Sequence, residues 1–130
     1  MIVEDNALVA MDLEQQLVDA GHEVTGIAAT AAEAVEVAQA TGGDLALMDV
    51  SLADGSSGVD AARVLKESFG IPSIYITATL PDAPEVRSYG LGHLSKPFDE
   101  NDLLSTVRFI QANMRGDTNG RLPAKFRLFS

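Results

Sequence analysis

Five short apolar runs, each followed by a stretch of polar or helical sequence, constrain the fold of this chain more than any other feature. The runs lie at residues 1–3, 24–29, 45–48, 73–76 and 91–95. Their apolar residues do not alternate with polar ones, which is typical of strands buried on both faces of a parallel sheet. The pattern predicts an α/β fold: a doubly wound (βα)₅ domain with a five-stranded parallel sheet and helices on both sides.

Helical spacing of apolar residues fills most of the segments between these runs. Thr30 and Glu33 form a capping-box pattern that opens a second helix, and Asp99 caps a last helix that runs to about residue 114. Between residues 77 and 91 only a fragment of helical pattern follows Pro81 and Pro84, so the fourth helix is predicted to be short or absent. Residues 1–114 are thus predicted to form one domain.

Residues 115–130 are a basic tail that contains glycine and proline and carries no recognisable output domain. Its apolar residues leave two readings open. The tail docks on a partner or on a second copy of the chain, or it is a disordered end.

Charge and composition exclude several classes of function. The net charge is −10, and the first 62 residues hold twelve acidic residues and no Lys or Arg. This argues against nucleic-acid binding, which depends on cationic contacts with phosphates, and favours a cation site. The chain has no cysteine, which excludes disulfides and thiolate metal sites. It has no apolar run of roughly 18 residues, as a membrane helix requires, and no visible signal peptide, so we expect a cytoplasmic protein with no membrane partner.

The predicted strands end at side chains that suit phosphoryl chemistry: Glu4 and Asp5, Asp49, Thr77 and Lys96. Ligands of open parallel sheets bind at the carboxyl ends of the strands, so these groups are expected to converge. Clustered carboxylates repel one another unless a cation compensates them, and Mg²⁺ takes carboxylate and phosphate oxygens. An ammonium and a hydroxyl can instead hold phosphoryl oxygens. The constellation predicts a Mg²⁺ site, a carboxylate nucleophile, and Lys96 and Thr77 on the transferred phosphoryl group.

Four motifs stand at these strand ends: Val-Glu-Asp-Asn at 3–6, Met-Asp-Val-Ser-Leu at 48–52, Ile-Thr-Ala at 76–78 and Leu-Ser-Lys-Pro-Phe at 94–98. In content and order they resemble the response-regulator receiver domains of two-component signalling, the CheY-like domains of the flavodoxin-like fold. The resemblance covers residues 1–114. The segments at 10–14 and 51–58 resemble the single-domain regulators found beside HWE-type histidine kinases.

The resemblance implies that Asp49 accepts a phosphoryl group from a histidine kinase or a phosphotransfer protein. It implies that Asp5, Asp49 and the Ser51 backbone carbonyl bind Mg²⁺, with Glu4 acting through water. The domain would then be a phosphoacceptor and not an enzyme. Its output would be contact with another protein, or drainage of phosphate from a shared kinase, and it would be a monomer or weak dimer.

The same resemblance implies that Thr77 moves toward the phosphoryl group as a switch and that Lys96 pairs with that group. It also implies a cis peptide bond before Pro97. His93 stands where the family has an aromatic switch residue, so it either performs that role or is a half-exposed strand histidine.

Two other functions fit parts of the pattern. A haloacid-dehalogenase-like phosphatase also uses a strand-end Asp with Mg²⁺, Thr and Lys, but it needs a second acid where Ser51 stands. A phosphorylation-independent adaptor would keep only the fold. The chain also departs from the family pattern: the Thr77–Lys96 interval is about one helical turn short, which alters the face where such domains commonly dock partners.

Overall fold

The computed structural model describes residues 1–129, in which five helices alternate with strands along the chain. In chain order the elements are β1 (Ile2–Val3), α1 (Ala7–Asp19), β2 (Ile27–Ala28), α2 (Ala31–Thr41), β3 (Ala46–Met48), α3 (Gly58–Phe69), β4 (Ser73–Thr77), α4 (Pro84–Tyr89), β5 (Gly90–Ser95), α5 (Glu100–Met114) and β6 (Phe126–Leu128). The second strand is shorter than the apolar run at 24–29 predicts. Among these helices, none combines the length and the apolar character needed to cross a bilayer.

The strands form one sheet in the order β2-β1-β3-β4-β5-β6, and the first five are parallel. Helices α2, α3 and α4 cover one face of the sheet, and α1 and α5 cover the other, so each face has its own apolar cluster. The predicted doubly wound α/β fold is confirmed. Because the chain crosses from one face to the other beside β1 and β3, the carboxyl ends of these strands border a crevice in which ligands bind.

Capping residues place the helices as the sequence predicts. The Asp99 side chain accepts from the backbone of Asp102, and the Asp102 side chain accepts from the backbone of Asp99, which is a complete capping box for α5. The hydroxyl of Thr30 accepts from the backbone N–H of Glu33 at the start of α2, which is one half of the capping box predicted there. These bonds satisfy N–H groups that have no partner within their own helix.

The fourth helix is short, as predicted. It has six residues, and Pro84 lies in its first turn. Its N-cap is Ala83, which offers no side-chain hydrogen bond. Val86 is its one buried residue, so α4 contributes little to the packing of that face of the sheet.

A sixth strand, β6, lies within the basic tail and pairs antiparallel with β5 at the edge of the sheet. The sequence pattern did not predict it, so the expected five-stranded parallel sheet is in fact a six-stranded mixed one. Neither expectation for the tail holds for residues 126–129, because they dock on their own domain. Phe126 is buried and joins the apolar cluster beneath α1 and α5.

Candidate functional site

Four strands bring the predicted site residues to one edge of the sheet. Glu4 follows β1, Asp49 follows β3, Thr77 ends β4 and Lys96 follows β5. Ladder hydrogen bonds continue past the strand ends: the N–H of Asp49 donates to the Val3 carbonyl at 2.8 Å, and the N–H of Lys96 donates to the Thr77 carbonyl at 3.2 Å. These hydrogen bonds fix the backbone at Asp49 and Lys96, from which the two side chains extend into the site.

The carboxylates of Glu4, Asp5 and Asp49 form a cluster, which is called the acidic cluster below. One oxygen from each lies within 4.8 Å of the others. Glu4 is 2% exposed and Asp49 is 8% exposed, whereas Asp5 is open to solvent. Three negative charges at this separation repel one another strongly where burial lowers the dielectric constant. Oxygen ligands of this kind and number fit a hard divalent cation such as Mg²⁺.

Lys96 provides a positive charge at the acidic cluster. Its Nζ donates to Glu4 Oε1 at 2.9 Å and lies 3.7 Å from Asp49 Oδ2. Partial burial of the ammonium lowers the pKa of Lys96, but the Glu4 hydrogen bond and the charges of Asp49, Glu4 and Asp5 outweigh it, so the pKa is raised overall. Lys96 therefore remains charged, and it partly compensates carboxylates that would otherwise be buried without a counterion.

Glu4 also binds the backbone of the loop that follows it. Its Oε2 accepts from the N–H of Asn6 at 3.2 Å, and the Asn6 side chain in turn caps α1 by accepting from the N–H groups of Leu8 and Val9. Asn6 is therefore the N-cap of α1, and neither Glu4 nor Asp5 has that role. Both carboxylates belong to the acidic cluster.

Thr77 has its hydroxyl turned toward its own loop. Its Oγ1 donates to the Thr79 carbonyl at 3.2 Å, while the N–H of Thr79 lies 3.4 Å from the same oxygen. His93 Nε2 lies 2.9 Å from the Thr77 carbonyl oxygen. Because a carbonyl oxygen only accepts, Nε2 must carry the proton and donate. His93 thus connects β5 to the end of β4, and the Lys96–Pro97 peptide bond beside it is cis.

The loop after β3 leads to a glycine, Gly58, whose role the sequence pattern did not indicate. Ser51, two residues beyond Asp49, is exposed and pairs with Ser57 across the loop. Gly58 follows directly, and its N–H donates to the Val50 carbonyl at 2.7 Å. A Cβ atom at Gly58 would overlap the carbonyl oxygen of Asp49. Only glycine allows this close approach, and the signal was a Ser-Ser-Gly sequence at the start of a helix.

Comparison with known protein families agrees with this geometry. The sequence profile of the response regulator receiver domain matches residues 1–108. The chain belongs to this family. It is therefore a receiver domain of two-component signalling, and, like other receiver domains, it is a signalling domain and not an enzyme.

Several curated regulators are similar in sequence to this receiver domain. The phyllosphere-induced regulator PhyR of Methylorubrum extorquens is 48% identical over 121 residues, which cover 88% of this chain and 45% of PhyR. The transcriptional regulatory protein PdtaR of Mycobacterium tuberculosis is 35% identical over 118 residues, covering 88% of this chain and 57% of PdtaR. The receiver domain spans about half the length of these relatives.

Solved structures show the same fold. The receiver domain of PhyR from Erythrobacter litoralis matches with a TM-score of 0.70 and 36% identity, covering 93% of this chain and 92% of that one. A CheY-like receiver domain from Methanospirillum hungatei matches with a TM-score of 0.77 and 26% identity, covering 89% and 95% of the two chains.

Proposed function

We propose that this receiver domain is a phosphoacceptor whose nucleophile is Asp49. An oxygen of the Asp49 carboxylate attacks the phosphorus of a phosphohistidine on a histidine kinase or phosphotransfer protein. The new O–P bond forms as the N–P bond breaks, and the imidazole nitrogen keeps the electron pair and takes up a proton. The product is an aspartyl phosphate whose phosphoryl group carries about 1.5 to 2 negative charges. Because the carboxylate gives up its own charge when the O–P bond forms, the acidic site gains about one negative charge at most.

The acidic cluster supports a resident Mg²⁺ in this proposal. Asp5 and Asp49 would bind the ion directly with the Ser51 carbonyl, and Glu4 would act through water. When bound, Mg²⁺ neutralises charge on the carboxylates and on the phosphoryl oxygens. Glu4 is suited to the outer position because both of its oxygens already accept hydrogen bonds, from Lys96 and from the backbone of Asn6.

Lys96 and Thr77 would hold the oxygens of the phosphoryl group. Lys96 Nζ already lies 3.7 Å from Asp49 Oδ2, so a group attached to that carboxylate comes within reach of the ammonium. Thr77 is different, because its hydroxyl must first leave the Thr79 carbonyl. We infer that this exchange of hydrogen-bond partners by the Thr77 hydroxyl is the switch. His93 would transmit the change to β5, because its ring donates a hydrogen bond to the Thr77 carbonyl.

One observation carries the proposal. A buried carboxylate at a strand end, Asp49, has two further carboxylates and one ammonium around it, and one of those carboxylates, Asp5, is exposed to solvent. A structural ion pair would need only one acid for one base. Three carboxylates and one ammonium leave an excess of negative charge, which a divalent cation such as Mg²⁺ would balance. The Lys96 ammonium would then hold the oxygens of a phosphoryl group.

The surface beside the site supports a phosphodonor that approaches along α1. A groove of about 440 Å³ lies between α1 and the Lys96–Phe98 loop. Leu8 and Met11 on the same helix are 79% and 61% exposed, so they offer apolar surface to a partner. Replacing Met11 with Asp should impair transfer from a kinase but not occupation of the site by a small phosphoryl analogue. Val18→Asp, on the far end of α1, is the matched control.

The output of the domain is proposed to be contact with another protein, or the draining of phosphate from a shared kinase. One solved relative, from Bartonella quintana, is described as the anti-anti-sigma factor PhyR. That chain is 36% identical to this one, and this domain covers 49% of it. A regulator of transcription that acts by protein contact is therefore the class of partner that the relatives favour.

Binding of beryllofluoride, a tetrahedral phosphoryl analogue, tests the proposal. Backbone NMR shifts would be followed while Mg²⁺ and beryllofluoride are added to the wild type, to Asp49→Asn and to Asp44→Asn. Asp44 is exposed at the opposite end of β3, so it controls for loss of a charge. We expect saturable shifts around Asp49, Thr77 and Lys96 in the wild type and the control.

Two results would contradict the proposal. If Asp49→Asn responds like the wild type, or if the wild type does not respond, Asp49 is not a phosphoacceptor. The chain would then be an adaptor that uses only the receiver fold.

A further inference from the structure

The edge of β5 accommodates the tail strand β6. Its register places Leu128 opposite Gly92, Arg127 opposite His93 and Phe126 opposite Leu94. A Cβ atom at Gly92 would overlap the Phe126 ring and would lie 2.6 Å from the Arg127 carbonyl oxygen. The missing side chain at Gly92 therefore makes room for the tail, as glycine does wherever another backbone approaches closely.

Aromatic contacts hold the tail on both faces of the sheet. The Phe126 ring lies 6.1 Å from the Phe109 ring of α5, and the Phe129 ring lies 6.3 Å from the Tyr75 ring of β4. The N–H of Phe129 donates to the Leu91 carbonyl at 2.9 Å. The intervening residues 115–122 are exposed, so the tail is a tethered segment with one docking site.

Two contacts connect the docked tail to the phosphoacceptor site. Lys125 Nζ donates to the Pro97 carbonyl at 2.9 Å and lies 3.8 Å from Asp102 Oδ2, so the tail holds the loop that begins at Lys96. His93 pairs with Arg127 through its backbone, while its ring donates to the Thr77 carbonyl. The tail thus contacts the neighbours of both proposed phosphoryl-binding residues.

We propose that the C-terminal tail is a tethered ligand of the β5 edge whose docking opposes occupation of the Asp49 site. The docked tail accompanies the arrangement in which the Thr77 hydroxyl donates to Thr79 rather than facing Asp49. A segment that binds only one of two conformations of a domain stabilises that conformation relative to the other. Phosphorylation would therefore loosen the tail and free the β5 edge, and loosening the tail would tighten binding of a phosphoryl group, because coupling is reciprocal. This inference rests on the proposed function.

The test measures hydrogen exchange of the Phe129 amide and the affinity for beryllofluoride in the full chain with Mg²⁺. Lys125→Ala removes the contact with the Pro97 loop. Arg121→Ala is its control, since it removes the same charge from the tail and Arg121 has no ion pair among residues 1–129. Gly92→Ala displaces the tail from the β5 side without changing any tail residue.

We expect Lys125→Ala and Gly92→Ala to speed exchange of the Phe129 amide and to tighten beryllofluoride binding by about threefold or more. Arg121→Ala should do neither. Saturating beryllofluoride should itself speed that exchange in the wild type. Beryllofluoride binding that depends on Asp49 but leaves the exchange unchanged, with equal affinities in Lys125→Ala and Arg121→Ala, overturns the coupling alone. Absence of any Asp49-dependent binding overturns the proposed function, and the coupling with it.

Discussion

The hydroxyl of Tyr75 provides a quantitative test of the packing around β4. Tyr75 is fully buried in this strand, and its Oη has no hydrogen-bond partner among residues 1–129. Leaving a buried hydroxyl without a partner costs about 1–3 kcal/mol. Replacing Tyr75 with Phe removes the hydroxyl and keeps the ring that packs against Phe129. We therefore expect Tyr75→Phe to raise the free energy of unfolding by about 1 kcal/mol at pH 7.

The same burial sets the pH dependence of the effect. It raises the pKa of Tyr75 from 10.0 to about 12, because the buried phenolate would lose its hydration. Below pH 10 both the folded and the unfolded chain keep the proton, so this group adds no pH dependence. Above pH 10 the unfolded chain loses it first, and stability falls as pH rises. The loss is about 1.4 kcal/mol by pH 11 and approaches about 3 kcal/mol above pH 12.

Urea unfolding of both proteins between pH 7 and pH 11, followed by circular dichroism, isolates this contribution. All other groups titrate alike in the two proteins, so the stability difference should grow by about 1.4 kcal/mol over that range. A difference that stays constant with pH would refute the raised pKa. A Tyr75→Phe variant that is less stable at pH 7 by 1 kcal/mol or more would refute the unpartnered hydroxyl.

Three further substitutions test the site and its supports. Gly58→Ala should lower the free energy of unfolding by about 2 kcal/mol or more in urea titrations, because its Cβ would overlap the Asp49 carbonyl oxygen, and a near-neutral effect would contradict the close approach. Asp99→Ala should cost about 1 kcal/mol by removing one half of the α5 capping box, and an unchanged Tm would show that the cap does not contribute. Lys96→Met should lower Tm without Mg²⁺, and added Mg²⁺ should raise Tm more than in the wild type, because the acidic cluster then lacks its other counterion. Equal rises in Tm would mean that the two cations do not share the same carboxylates.

The parts of this fold that could be predicted from the sequence are those with strong local signals. Short apolar runs identified the first five strands, and four of these runs ended at side chains that the sheet then placed at one edge. Asp99 is an example: the sequence predicts it as the cap of the last helix, and its side chain accepts a hydrogen bond from the backbone N–H of Asp102. The acidic cluster followed from the same logic, because parallel strands bring their carboxyl ends together whatever the loops between them do.

The parts that could not be predicted depend on contacts between distant residues. Strand β6 has only three residues, and two of them are exposed, so no apolar run marks it. It forms because β5, more than 30 residues earlier in the chain, offers an edge with a glycine where the tail needs room. Gly58 was overlooked for a similar reason: its importance lies in the backbone of Asp49, which the folded loop brings against it.

The two glycines of β5 show how the C-terminal tail and the Asp49 site are connected through one strand. A strand that begins at Gly90 and has Gly92 in its interior is weak on its own, because glycine adds conformational entropy to the unfolded chain and no side chain to the packing. Aromatic rings fill both gaps: Tyr75 lies against Gly90, and Phe126 lies against Gly92. Phe126 belongs to the tail, so part of the packing that orders β5 comes from beyond α5. Because Lys96 is the residue that follows β5, a change at the acidic cluster and a change in the docking of Phe126 both act on the same strand.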